Sequence, residues 1–194
     1  MALAQNGLHY AGDEFDRRRY AQAQRVGLRL MELVSSVTLE ELERSVVADT
    51  GHATPKVDVR GAVFHEGKVL MVQERSDQLW ALPGGWCDPL ESPRQAVARE
   101  IKEESGLTVE VDELAAVLDR ERQGNLPPLP YHVYKLFFIC HMTGAGTRDD
   151  LETLDVGWFS PDNLPPLSID RLTQAQVQLM VDHYLHPGQP AAFD

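Results

Sequence analysis

The chain is expected to be an α/β protein in which a mixed β-sheet lies between helices, with a small helical extension at its N-terminus. Three observations carry that expectation. β-rich runs and helical segments follow one another from residue 57 onward, one of those helices has both a start and a stop signal, and residues 1 to about 50 read as helical. At 194 residues the chain is long enough for one well-buried domain plus an extension.

In the N-terminal segment, Asp16 is placed to cap a helix whose apolar positions Tyr20, Ala23, Gly27, Leu30, Met31 and Val34 recur at helical spacing. Thr38 opens a second helix through Leu42 and Val46, and Asp49 to Lys56 has the composition of a linker. Residues 1–54 are therefore expected to form a helical N-terminal domain and residues 55–194 the main one. Two short helices cannot bury both of their own faces, so their apolar stripe must pack on the main domain or on a second chain. A homodimer built partly by this segment is expected.

Val57 to Phe64 and Lys68 to Gln73 are β-rich runs joined by His65-Glu66-Gly67, a hairpin signal. Val109 to Val111, Ala115 to Leu118, Val133 to Met142 and Val156 to Phe159 read as further strands. Gln174 to Tyr184 reads as the last helix and Pro187 to Asp194 as a loose tail.

The central helix is the most informative element. Ser92 can cap orphan N–H groups, Pro93 suits the first helical position, Gln95 completes a capping box, and Gly106 stands where a left-handed residue ends a helix. At roughly 100° per residue, Glu100, Glu103 and Glu104 share one face, next to Val97 and Ile101. The acidic face therefore borders the buried side, unlike a solvated charge run. Glu100 and Glu104 also form an i,i+4 like-charge pair, which costs a few tenths of a kcal/mol until a cation reverses the sign. Clustered carboxylates with room for phosphate suit Mg2+, a hard cation that takes oxygen ligands.

Gly85, Glu91, Arg99, Glu100, Ile101, Glu103, Glu104, Gly106 and Leu107 fit the pattern G-x5-E-x7-R-E-U-x-E-E-x-G-U, with U an aliphatic residue, at every fixed position. This 23-residue run resembles the Nudix box of the Nudix hydrolases. The resemblance implies the Nudix fold, a mixed sheet sandwiched between helices, and a Mg2+-dependent hydrolase in which Mn2+ can stand in. It further implies that the Gly84 carbonyl joins Glu100, Glu103 and Glu104 as a metal ligand, that Glu91 orients or supplements that set, and that Arg99 holds the glutamates in place. Asn6 to Tyr10, Asp16 to Tyr20 and Pro55 to Arg60 look like the N-terminal region of Nudix hydrolases of X-linked nucleoside diphosphates. That subgroup implies ADP-ribose or CDP-choline-like substrates cleaved to two phosphomonoesters.

The S-Q-P-W-P run of the NADH type is absent, and Arg122 and Gln123 stand where many ADP-ribose enzymes carry a proline. Within the same family, RNA 5′ ends, dinucleoside polyphosphates and damaged dNTPs are the rival substrates, and a nucleotide sensor without chemistry is a rival class. For the general base, the resemblance points to a loop carboxylate outside the box. Glu152 is the candidate by sequence order, with Asp155 and Glu103 as rivals. Arg60 and Arg75 lead into the box and are placed either to clamp phosphate or to form salt bridges. Trp80, Trp86 and Tyr131 are either platforms for a base or parts of the core.

A net charge of −12 and a pI near 4.9 argue against a duplex nucleic-acid or anionic-membrane surface. Cys87 and Cys140 show no C-x-x-C spacing, so neither a disulfide framework nor a zinc site is indicated. With no secretory leader pattern and no long apolar run, a cytoplasmic protein that does not cross a membrane is expected.

Overall fold

The computed structural model describes residues 1–35, 38–47, 51–148 and 152–194. Asp49 and Thr50 of the expected linker, Asp149 to Leu151 of the acidic loop and the side chain of Val46 lie outside the described residues. The chain divides into two compact units, one of Met1–Lys56 with Leu126–Val133, the other of Val57–Asn125 with Tyr134–Asp194.

Among the described residues the first unit holds three helices rather than two: α1 (Ala2–Tyr10), α2 (Glu14–Val34) and α3 (Leu39–Val47). The cap of α2 is Asp13, whose carboxylate accepts the Asp16 N–H at 2.8 Å, so the expected cap at Asp16 stands three residues too late. Helices α1 and α2 approach closely at Gly7, where a Cβ would fall 2.2 Å from the Tyr20 ring. The expected apolar stripe of α2 splits in two. Tyr20, Gly27 and Met31 flank the buried Leu28, whereas Val26, Leu30 and Leu33 recur at helical spacing on the exposed side.

In the second unit, β1 (Lys56–His65) and β2 (Lys68–Glu74) pair antiparallel through Glu66 (φ 49°) and Gly67 (φ 73°). Two successive positive φ values are those of a type I′ hairpin turn. β3 (Trp80–Ala81), α4 (Pro93–Ser105), β4 (Leu107–Asp119), a 3₁₀ turn (Arg120–Arg122), β5 (Val133–Ala145), β6 (Thr153–Phe159), α5 (Gln174–Leu185) and β7 (Ala192–Phe193) follow. Among the described residues the strand order is β3-β2-β1-β5-β4-β7, with β6 also paired to β2, and the sheet is mixed because β4 and β7 run parallel.

Two expectations fail here. The two short strands expected within residues 109–118 are one strand, β4, whose register shifts between Val111 and Glu113 and again between Leu114 and Ala116 absorb the polar interruption. The C-terminal residues are not loose. Ala192 and Phe193 pair with Ala116 and Val117, and the Asp194 carboxylate accepts the Asp119 N–H and the Gln123 amide.

The alternation of β1 explains where the helices sit. Val59 and Val63 pack with Ala96, Val97 and Ile101 of α4 on one face of the sheet, while Ala62 packs with Val177 and Met180 of α5 on the other. Burying each such valine, isoleucine or methionine side chain stabilises the fold by roughly 1.5–3 kcal/mol. Helix α4 lies so near the sheet at Gly61 that a Cβ there would stand 2.4 Å from the Ile101 δ-methyl.

Candidate active site

Helix α4 is built as its local signals require. Ser92 accepts from the Gln95 N–H and Gln95 returns the bond to Ser92, closing a capping box, and Gly106 ends the helix at φ 76° in the left-handed region. The buried side holds Val97 and Ile101 and, in line with them, Glu104.

Arg99 gathers the glutamates expected around it. Its Nε and Nη2 donate to the two Glu91 oxygens at 3.0 Å each, and its Nη1 donates to Glu100 at 2.9 Å and Glu103 at 3.0 Å. One guanidinium thus spans three carboxylates, each bond charge-assisted. Those bonds hold the Glu91 carboxyl below its ordinary range, chiefly through Arg99 itself. Glu104 stands apart from this cluster, its carboxylate accepting the Gly84 N–H at 2.8 Å.

Gly84 must be glycine for two reasons. Its φ of 146° is one that L side chains rarely adopt, and an added Cβ would lie 2.0 Å from the Val59 carbonyl oxygen. Gly85 in turn leaves room for Glu100, whose carboxylate would stand 2.8 Å from a Cβ there.

At three carboxyls of this region, Glu104, Glu100 and Glu74, burial outweighs the nearby cations. Burial pushes the Glu104 carboxyl up to about 8, against the pull of Arg60 and the Gly84 N–H, with Glu74 and Glu100 adding to the rise. Burial also raises Glu100 and Glu74, and Glu152 adds to the rise at Glu74. Among the described residues no three Asp, Glu, His or Cys side chains converge on one point as they stand, because Arg99 holds Glu91, Glu100 and Glu103 while Gly84 holds Glu104. The donor set nonetheless fits a hard divalent cation, since every donor is an oxygen and burial raises two of its carboxyls, Glu100 and Glu104.

The remaining expected residues fall in different places. Glu152 is exposed, and its carbonyl accepts the Arg75 N–H at 2.9 Å, which brings it to the end of β2 beside Glu74. Arg75 is exposed on that same end. Arg60, expected either to clamp phosphate or to form a salt bridge, is only 4% exposed. Its Nε and Nη2 engage Asp58 at 3.0 and 2.8 Å and its Nη1 donates to the Leu82 carbonyl at 3.1 Å, so the fork is filled from within. Trp80 is partly buried and packs against the core, its ring edge-on to Phe159 with centroids 4.7 Å apart. Tyr131 lies in the first unit, with Lys56 Nζ over its ring at 5.3 Å. Cys87 is half-buried and its thiol is raised by burial, as befits a residue with no nucleophilic part.

Four charged residues that sequence reasoning passed over complete the region: Asp58, Glu74, Lys135 and Arg171. Arg171 Nε reaches Glu74 at 3.2 Å and its Nη1 reaches Asp77 at 3.2 Å. Lys135 Nζ donates to Asp58 at 2.6 Å. The available signal was a charge set within a β-rich apolar run, as in Val57-Asp58-Val59-Arg60, where an inward-facing charge must find a partner.

A mixed sheet between α4 and α5, with a Gly84-Gly85 turn set against a carboxylate-faced helix, defines the class as the Nudix fold. A NUDIX domain profile matches residues 54–180, and the chain belongs to the Nudix hydrolase family, whose members generally use divalent cations. Residues 1–46 match a domain described as UDP-X-like, N-terminal oligomerisation domain.

The chain is 42% identical over 193 residues to YjhB of Bacillus subtilis (strain 168), whose name carries a provisional ADP-ribose pyrophosphatase assignment; the match covers 100% of this chain and 92% of that protein. A crystal structure titled as an ADP-ribose pyrophosphatase of Streptococcus suis 89-1591 is 41% identical, with a TM-score of 0.66 over 73% of this chain and 100% of its own. A structure titled as a UDP-X diphosphatase is 29% identical, with a TM-score of 0.67 over 100% and 93%. Among the described residues no helix is long and apolar enough to cross a membrane.

The excess of buried carboxylate has a pH consequence. The folded-state value of Glu104 is raised from 4.5 to about 8, so folding without a divalent cation is favoured by the neutral acid, and that contribution is lost as pH climbs from about 5 to 8. In buffer stripped of divalent cations, urea unfolding of the protein is expected to show falling stability over this window. The Glu104→Gln variant, which cannot ionise there, is expected to show a flatter profile, and equal slopes would refute the assignment.

Proposed function

We propose that the protein is a Mg2+-dependent pyrophosphohydrolase, with Mn2+ an effective substitute, that cleaves the diphosphate of a nucleoside diphosphate linked to another moiety. ADP-ribose is the first candidate substrate and CDP-choline the second, and the products are two phosphomonoesters. The observation that carries this reading is the concentration of carboxyls between the Gly84-Gly85 turn and α4, more than the nearby arginines neutralise. The substrate class draws support from relatives named or titled for ADP-ribose and UDP-X hydrolysis. With a net charge of −12, the chain is poorly suited to long RNA.

In this reading Glu100, Glu103, Glu104 and the Gly84 carbonyl hold the cation, with Glu91 supplementing them. A cation bound there neutralises diphosphate charge and lowers the pKa of water. The chain's own part is to position and to move a proton. Arg99 restrains Glu91, Glu100 and Glu103 as a unit, and Gly84 orients Glu104. Glu152, exposed beside Glu74, takes the proton of the attacking water as general base. Phosphoryl chemistry asks for positioning and charge stabilisation, so no nucleophilic side chain is required.

The same reading makes the protein a homodimer through its N-terminal helices. Its support is the match of residues 1–46 to an oligomerisation domain and the exposed row Val26, Leu30 and Leu33 on α2. Residues 1–54 serve as the dimerisation domain and 55–194 as the hydrolase domain. The free thiols Cys87 and Cys140 accord with a reducing, cytoplasmic setting.

Purified protein incubated with Mg2+ and ADP-ribose, CDP-choline or NADH, followed by alkaline phosphatase, is expected to release phosphate from newly formed monoesters. Glu103→Gln should lower that release by about a hundredfold or more, and Glu152→Gln by at least about tenfold. Wild-type silence on every diphosphate-linked compound would overturn the substrate class, and a rate within threefold for Glu152→Gln would remove it as the base. Sedimentation velocity at micromolar concentration should give a dimer for the intact chain and a monomer for Leu30→Glu/Leu33→Glu; a monomeric wild type would contradict the assembly.

A further inference from the structure

We propose that Lys135, Asp58 and Arg60 form a positioning network for the carboxylate cluster, holding the Leu82–Trp86 turn where the Gly84 N–H can fix Glu104. The inference rests on the reading that the α4 glutamates bind a divalent cation.

All three side chains are withdrawn from water, with residue exposures of 2% for Lys135, 5% for Asp58 and 4% for Arg60. Asp58 and Arg60 lie two residues apart on β1 and so share a face, and Lys135 reaches them from the neighbouring β5. Asp58 is held from two strands, by Lys135 at 2.6 Å and by both Nε and Nη2 of Arg60. Burial alone would raise the Asp58 carboxyl, yet Arg60 and Lys135 pull it below its ordinary range. A buried ion cluster is weak evidence of stability by itself, because well-packed apolar residues commonly do as well. Its use must be sought in what the cluster holds.

That object is the turn before α4. With Asp58 gripping two nitrogens of the fork, the third, Nη1, is aimed at the Leu82 carbonyl. The backbone of β1 holds the next residues: the Gly61 N–H donates to Pro83 at 2.9 Å, the Val59 N–H donates to Gly85 at 2.8 Å, and Asp58 bridges to Trp86. Gly84 is left backed against the Val59 carbonyl with its own N–H directed to Glu104. The charges agree with this geometry. Two cations face one carboxylate within the network, and Glu104 is the next carboxyl in the field of Arg60. A lysine at position 60 would keep the charge but could not serve Asp58 twice and Leu82 at once.

The test is Mn2+ affinity, measured by isothermal titration calorimetry on the full-length protein without substrate, with circular dichroism to verify folding. Arg60→Lys and Lys135→Met are expected to weaken Mn2+ binding by about tenfold or more, the range seen when groups supporting metal ligands are removed. Adding Arg60→Lys to Glu104→Gln should weaken binding little beyond Glu104→Gln alone, because Arg60 acts through Glu104. A network that served stability only would lower the melting temperature while leaving Mn2+ affinity within threefold of wild type, which would overturn the inference. Should Arg60→Lys fail to fold, the Lys135→Met result decides by the same thresholds. If wild type binds Mn2+ and Glu104→Gln weakens that binding while the network variants match wild type, only the inference fails. A wild type that binds no Mn2+ removes both the inference and the reading beneath it.

Discussion

More carboxylate is buried between the Gly84-Gly85 turn and α4 than the nearby cations neutralise, and the rest of the second unit is arranged around that imbalance. Glu104 carries the largest cost, and the N–H that donates to it belongs to the backbone of a residue that only glycine can be. Arg99 restrains the outer three glutamates without relieving the inner one. A protein that folds with such a charge distribution gains by binding a cation, which is how a stability cost becomes a binding energy.

The fold supplies rigidity where this arrangement needs it. Helix α4 is clamped to the sheet by Val97 and Ile101, with Gly61 leaving no space for a side chain beneath it. Strand β1 serves both faces, giving aliphatic residues to α4 and α5 and hydrogen bonds to the turn that carries Gly84. On the opposite edge of the region, Arg171 ties Glu74 and Asp77, and the Arg75 N–H holds Glu152 to the end of β2. Elements distant in sequence thus meet around one acidic centre.

What could be read from the sequence was what is encoded locally. Ser92, Pro93, Gln95 and Gly106 define the ends of α4 within a few residues of chain, and helical periodicity places the glutamates beside Val97 and Ile101. Glu66-Gly67 encodes the hairpin in the same way, through backbone conformations few residues accept. Non-local features were not legible. Asp58 and Lys135 are 77 positions apart, and neither announces the other. The C-terminal residues looked loose because pairing with β4 depends on where the sheet ends in space. Arg60 can be read from the sequence as a phosphate clamp or as a salt-bridge partner, because its charge is visible there and its burial is not. Trp80 was ambiguous for the complementary reason, since an aromatic's role depends on which ring lies against it.

The central claim is that this acidic centre is a divalent-cation site. Its most direct test is a crystal of the full-length protein soaked in Mn2+ and measured at a wavelength where manganese scatters anomalously. The account predicts an anomalous peak within coordination distance of Glu100, Glu103 or Glu104 and of the Gly84 carbonyl, with at least one Arg99 bond released. An ordered protein in saturating Mn2+ with no peak there, or with its peak only at surface carboxylates elsewhere, would contradict it.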